Sequence, residues 1–255
     1  NMFACLQEEY KAMRALYPHK NIMSFQVAKV EELYCLVMER ADGSLYDMIS
    51  EMKGKSTIVP PVLMSILLDL FRAVEHAHSV GYIHRDIKPE NLLWFPWNST
   101  AKLSDFGFAK ALTDSRGTIC GTRDYMAPEM IRGRAYSFPV DIYSCGKVVS
   151  DLLEICGDLP LRNWLADFAN DCVQNSPRRR PTATECVRKL EEFQKRHEDL
   201  NSYIGGYKIT KEKIQTLQEK LNSLSLEMRD IEQEMHALKQ DHRTWRRMIR
   251  RVTKE

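Results

Sequence analysis

Three short strings in the middle of this chain constrain its fold more than any other feature. His84-Arg85-Asp86-Ile87-Lys88-Pro89-Glu90-Asn91 follows a strongly amphipathic stretch. Asp105-Phe106-Gly107 comes fourteen positions after Asn91, and Ala127-Pro128-Glu129 closes a segment rich in Gly, Thr and Ser. Any one tripeptide alone is a weak signal, and a lone loop aspartate is usually a turn former. All three in this order are a strong signal, and the residue types share a chemical logic. Asp86 can accept a proton. Asn91 and Asp105 offer hard oxygens of the kind a small divalent cation prefers. Lys88 is a mobile point charge. Gly107 lets the backbone turn sharply after Asp105.

The ordered set resembles that of the eukaryotic protein kinases. The resemblance covers roughly residues 1 to 200. Lys88, two positions after Asp86, and Gly121-Thr122-Arg123-Asp124-Tyr125-Met126 look like the Ser/Thr branch, not the Tyr branch. The string Thr118-Ile119-Cys120-Gly121-Thr122 is similar to Aurora and AGC kinases, but it is too short to assign a subfamily. The resemblance implies transfer of the ATP γ-phosphate to Ser/Thr hydroxyls of protein substrates, with Mg²⁺. Such a transfer needs positioning, metal ions and neutralised charge more than covalent help. Asp86 is then the base, Lys88 faces the transferring phosphate, and Asn91 and Asp105 are the metal ligands.

Further positions follow from the resemblance. Glu9 looks like the N-lobe helix glutamate, with Glu8 as competitor, because His19-Lys20-Asn21-Ile22 follows. Met38 would be the gatekeeper, the backbone of Glu39 and Ala41 would bind adenine, and Leu93 would floor the pocket. Plain core packing is the alternative for Met38 and Leu93. Asp141 matches the aspartate that anchors the catalytic loop, and Arg180 matches the arginine that pairs with Glu129. Arg85 would receive a phosphate from Thr118, with Thr113 and Ser115 nearby. Thr122 looks like the substrate-loop threonine.

Two departures stand out. Only eight residues precede Glu9, and they hold neither glycine nor lysine. The family's Gly-rich loop and strand lysine therefore have no counterpart, and the expectation is a fragment of an active kinase. After Leu152-Leu153-Glu154-Ile155 the chain passes quickly to Trp164, so a substrate-docking helix looks shortened.

The organisation expected is α+β: a kinase-like fold with an incomplete N-lobe (1–42), a mainly helical C-lobe (43–203) and a helical coiled-coil tail (204–255). Strands are expected over Ile22–Val30, Leu33–Glu39, Leu92–Trp94 and Ala101–Leu103. Helices are expected over Glu8–Leu16, Ser44–Glu51 and Pro61–Val80, and from Pro139 onward. After Gly205-Gly206 there is neither Gly nor Pro. From Ile214 the apolar positions alternate by three and four. Ile214, Leu221, Met228, Met235, His242 and Ile249 fall at a; Leu217, Leu224, Ile231, Leu238, Trp245 and Val252 fall at d. That pattern predicts a coiled coil on the order of 60 Å long. A helix packed back on the lobe is the alternative. Glu234 would face Lys239 and Asp241 would face Arg246 in a parallel dimer, but Glu227 would face Glu232. Homodimer and heterodimer stay open. The basic run from Arg243 to Arg251 reads as a solvated face, or as a contact for an acidic partner or nuclear import receptor.

Composition narrows the class. The net charge is +2, which gives no footprint for nucleic acid. No apolar stretch is long enough to span a bilayer, and residues 1–10 do not read as a signal peptide. Seven irregularly spaced cysteines without a C-x-x-C pair fit reduced thiols in the cytoplasm or nucleus. The leading expectation is a Ser/Thr kinase with a dimerising coil. The rival is a kinase-like adaptor clustered by that coil.

Overall fold

The computed structural model describes residues 10–30, 33–111, 120–196, 213–224 and 227–228. The chain divides into two units, Asn1–Ile204 and Gly205–Glu255. In the first unit, helix α1 (10–16) stops before Tyr17 and Pro18. It buries Ala12, Met13 and Leu16, which share one face at helical spacing. Strands β1 (Phe25–Val30) and β2 (Leu33–Met38) form an antiparallel pair, from Phe25 opposite Met38 to Val30 opposite Leu33.

The strand expected to begin at Ile22 begins at Phe25. The preceding residues are used otherwise. Ile22 bridges Leu103, the Met23 N–H donates to the Leu103 carbonyl at 2.9 Å, and the Leu103 N–H donates to the Asn21 carbonyl at 2.8 Å. Asn21 Nδ2 adds a bond to the Ala101 carbonyl at 3.2 Å. His19 and His76 stack at 4.5 Å, and His76 Nε2 bonds the Leu16 carbonyl at 2.9 Å.

Strand β3 (Gly43–Ser44) leads into α2 (Leu45–Met52). Ser44 Oγ accepts the Asp47 N–H, and the Asp47 carboxylate accepts the Ser44 N–H at 2.8 Å, a reciprocal cap. Helix α3 (Pro60–Ser79) starts with two prolines where backbone N–H groups lack helical partners, and Gly81 follows its end at φ 84°. Twelve of its twenty residues are buried, so it is the central element of the unit. One of them, Asp69, accepts the Ala101 N–H at 2.9 Å, and burial pushes its carboxyl up.

Strand β4 (Tyr82–Ile83) pairs with β7 (Lys110–Ala111), while β5 (Leu92–Phe95) and β6 (Thr100–Leu103) complete an antiparallel sheet in the order β3-β5-β6. Helices α4 (Pro128–Ile131), α5 (Pro139–Leu152), α6 (Leu159–Cys172) and α7 (Ala183–Arg196) follow. Only residues 153–158 separate α5 from α6, and Cys156 there bridges Ile58. The main core gathers α3, α5, α6 and α7 with β5 and β6. A smaller one joins Ile83, Met126, Met130, Tyr136 and Val140.

In the second unit residues 213–224 form helix α8. No helix among the described residues is long and apolar enough to cross a membrane.

Candidate active site

A carboxylate far along the chain sets the backbone of the loop after β4. Asp141, near the start of α5, is fully buried. Its Oδ2 accepts the His84 N–H at 2.8 Å and lies 2.9 Å from His78 Nε2, and its Oδ1 accepts the Arg85 N–H at 2.9 Å. Burial alone would push this carboxyl up, but His78 and the backbone donors outweigh it and hold it below its ordinary range. Arg85 is thereby kept at φ 71°, a left-handed conformation rare outside glycine.

His84 is buried, and its Nδ1 accepts the Asp86 N–H at 3.3 Å. Its Nε2 therefore carries the hydrogen and donates to the Ser104 carbonyl at 3.0 Å. The ring is neutral, in keeping with burial, which pushes its pKa down.

Asp86 lies at the centre of a network. Its Oδ1 accepts the Thr122 N–H at 2.7 Å and the Thr122 hydroxyl at 2.8 Å. Its Oδ2 takes Lys88 Nζ at 2.9 Å and Asn91 Nδ2 at 3.3 Å. Lys88 also donates to Thr122 Oγ1 at 2.9 Å. Burial opposes the charge on Asp86, but hydrogen bonds from Lys88 and Thr122 prevail and keep it ionised at neutral pH. Gly121 has to be glycine here. It sits at φ 99°, and a Cβ would lie 2.4 Å from the Arg85 carbonyl oxygen.

Asn91 and Asp105 are brought together through Ser104. The Ser104 N–H and hydroxyl donate to the Asn91 carbonyl at 2.8 and 2.9 Å. Phe106 is fully buried and packs edge-on against His84 at 4.6 Å, which leaves Asp105 exposed at φ 59° and accepting the Gly107 N–H at 3.3 Å. Asn91 spends its Nδ2 on the Asp86 carbonyl at 2.9 Å, which leaves its amide oxygen available. One amide oxygen and one carboxylate are the kind of donor set Mg²⁺ takes from protein when phosphate and water complete its octahedron. No group of three or more His, Cys, Asp or Glu side chains suited to a metal occurs among the described residues. The donors present fit a shared site, not a closed protein cage.

At the proposed adenine side, Met38 is 50% exposed, so core packing does not account for it. Leu93 is half-buried on β5, opposite Ser44 and Lys102. The Glu39 side chain pairs with Lys102. Among the described residues, the backbone groups of Glu39 and Ala41 make no hydrogen bond within the protein, which suits an edge that receives a ligand. Glu9, Thr113, Ser115 and Thr118 lie outside the described residues.

Arg85 donates through Nε to the Phe108 carbonyl and through Nη1 to the Tyr136 hydroxyl at 3.1 Å. Glu129 and Arg180 form a buried two-point pair at 2.6 and 2.9 Å, and Arg180 also donates to the Gln174 and Pro139 carbonyls. His78, Ser104 and Tyr136 were not singled out from the sequence. For His78 a signal exists: it falls four residues after Val74, on the buried face of α3.

A protein kinase domain family model matches residues 3–163. The chain belongs to the protein kinase domain family. It is 33% identical over 187 residues to mitogen-activated protein kinase kinase 5 of Leishmania mexicana, covering 60% of this chain and 34% of that protein. It is 36% identical over 167 residues to CBL-interacting serine/threonine-protein kinase 15 of Arabidopsis thaliana, covering 62% and 38%. It is 32% identical over 160 residues to calcium/calmodulin-dependent protein kinase type 1 of Caenorhabditis briggsae, covering 61% and 43%. The chain thus spans well under half the length of these relatives.

Proposed function

We propose that this chain forms the catalytic core of a protein serine/threonine kinase that moves the ATP γ-phosphate to protein hydroxyls. The observation that carries this reading is the ionised Asp86, held between Lys88, Thr122 and Asn91, with the exposed Asp105 tied to Asn91 through its neighbour Ser104. A substrate hydroxyl would donate its hydrogen bond, and then its proton, to Asp86. Lys88 would offset charge on the group in transfer. Asn91 and Asp105 would hold Mg²⁺, which when bound neutralises phosphate charge. Met38, Leu93 and the backbone of Glu39 and Ala41 would receive adenine. Arg85 would gather the activation segment once Thr118 is phosphorylated.

The tail supports a second copy as partner. Ile214, Leu217, Leu221, Leu224 and Met228 are each between 49% and 63% exposed, in the a and d pattern of a coiled coil. The same stripe would serve a non-catalytic adaptor. Five free cysteines among the described residues support a reducing compartment, cytoplasm or nucleus.

The test is phosphate transfer from labelled ATP to a serine peptide by the full-length protein, with and without Mg²⁺. Asp86→Asn should lower turnover by about 10²–10⁴-fold. Asp105→Asn should abolish Mg²⁺-dependent activity. Turnover that survives Asp86→Asn unchanged would remove the catalytic assignment and leave the adaptor.

A further inference from the structure

Charge is unevenly spread over this molecule. The chain carries a net +2, yet two short stretches concentrate arginine without any acid. Residues 130–140 hold Arg132 and Arg134, residues 173–184 hold Arg178, Arg179 and Arg180, and neither stretch contains Asp or Glu. The fold brings them together. Arg180 grips Glu129 and the Pro139 carbonyl, and the Arg134 N–H donates to the Glu129 carbonyl at 3.0 Å. A cavity of about 390 Å³ lies between the stretches, walled by Glu129, Tyr136, Ser137, Pro139, Pro177 and Arg178, and the Glu129 carboxylate there is already held by Arg180.

Arg180 is neutralised by Glu129, but the other four are not. Arg132, Arg134, Arg178 and Arg179 are exposed and make no ion pair or side-chain hydrogen bond among the described residues. Elsewhere on the surface Arg72, Arg188 and Arg196 each pair with a glutamate, while Arg14, Arg40 and Arg162 make no ion pair among the described residues but lie scattered along the chain. Four unpaired guanidinium groups on two stretches that meet at Glu129, one of them Arg178 at the cavity wall, keep their forked donors available.

We infer that this arginine face is a docking surface for an acidic stretch of polypeptide in the protein substrate. The inference rests on the kinase reading for its biological use, not for the binding itself. Three observations select a polypeptide. The face continues directly from the segment that places Thr122 on Asp86, so a chain bound there lies along the protein that presents its hydroxyl. The cavity has Pro and Tyr walls and room for a side chain or two. The face offers no exposed aromatic for stacking bases, since Tyr136 is buried, and its one exposed large apolar residue is Ile131.

The test is fluorescence anisotropy of the full-length protein with a labelled peptide of six glutamates flanked by Gly and Ser, beside its six-glutamine counterpart. The glutamate peptide should bind at least about tenfold tighter and weaken as salt rises. Arg132→Gln with Arg134→Gln, and Arg178→Gln with Arg179→Gln, should each lower that affinity about tenfold, while Arg→Lys at the same positions loses less. On a serine peptide fused to the six glutamates these variants should raise KM and spare kcat. On the serine peptide alone they should change neither. Equal binding of both peptides, or binding indifferent to the arginine changes, overturns the inference. So does tighter arginine-dependent binding of single-stranded RNA or phosphatidylserine vesicles than of the glutamate peptide. Intact peptide binding without phosphate transfer upholds the surface and counts against the kinase reading.

Discussion

Gly121 shows how much of the site hangs on single atoms. Its neighbour Thr122 supplies two hydrogen bonds to Asp86, and a Cβ on Gly121 would run into the Arg85 carbonyl. Gly121→Ala should push Thr122 off Asp86 and lower kcat more than it lowers thermal stability, a split that steady-state kinetics and a melting curve would read together. Unchanged kcat would mean that Thr122 does not orient Asp86. His84 gives a pH prediction. Its folded pKa is below the ordinary 6.5, so between the two values the unfolded chain binds the extra proton. Its contribution is complete above about pH 6.5 and is lost as pH falls. Half-buried His19 is lowered too and acts with the same sign. Urea midpoints should fall between pH 7.5 and 5.5, and fall less in His84→Gln; equal slopes would count against a buried neutral ring. Asp86 and Asp141 act in a lower window, complete above about 3.8 and lost as pH drops through their folded values. Asp86, Asn91 and Asp105 are legible in the sequence because each sits inside a string of constrained neighbours. Ser104 and Tyr136 are not, because they act on groups that are near only after folding.

Elements were legible in proportion to their periodicity. Helix α3 announces itself by apolar residues at three- and four-residue spacing, opening prolines and a closing glycine. Ile22 and Met23 read as strand because they are apolar, yet their backbone is spent on β6, a preference that no local pattern encodes. The meeting of α5 and α6 is equally silent in the sequence. It depends on Gly146, where a Cβ would lie 2.6 Å from Cys172 Cβ and 2.9 Å from a Val173 methyl. Gly146→Val should force the helices apart and cost about 1–3 kcal/mol, read from chemical denaturation. A stability within about 0.5 kcal/mol of the parent would show that this contact can give way.

For the whole molecule, the exposed stripe on α8 predicts assembly. Sedimentation of the full-length protein should give a dimer, and Leu217→Lys with Leu221→Lys should give a monomer with the melting midpoint of the first unit unchanged. A monomeric parent protein would leave the stripe to another helix. The seven cysteines, of which five are seen free, predict the same mass with and without reductant.

The grip of Asp141 on the catalytic loop also has a meaning in time. Its partners His84 and Arg85 are made 57 and 56 residues before it. At roughly 5–20 residues per second, translation leaves a gap of roughly 3–11 s. Throughout it the loop exists on the ribosome without the carboxylate that shapes it. On the kinase reading, a product of premature termination before α5 would lack the carboxylate that shapes this loop and is expected to be inactive. By the same reading, phosphate transfer is expected only once the helical lobe that carries Asp141 has been made.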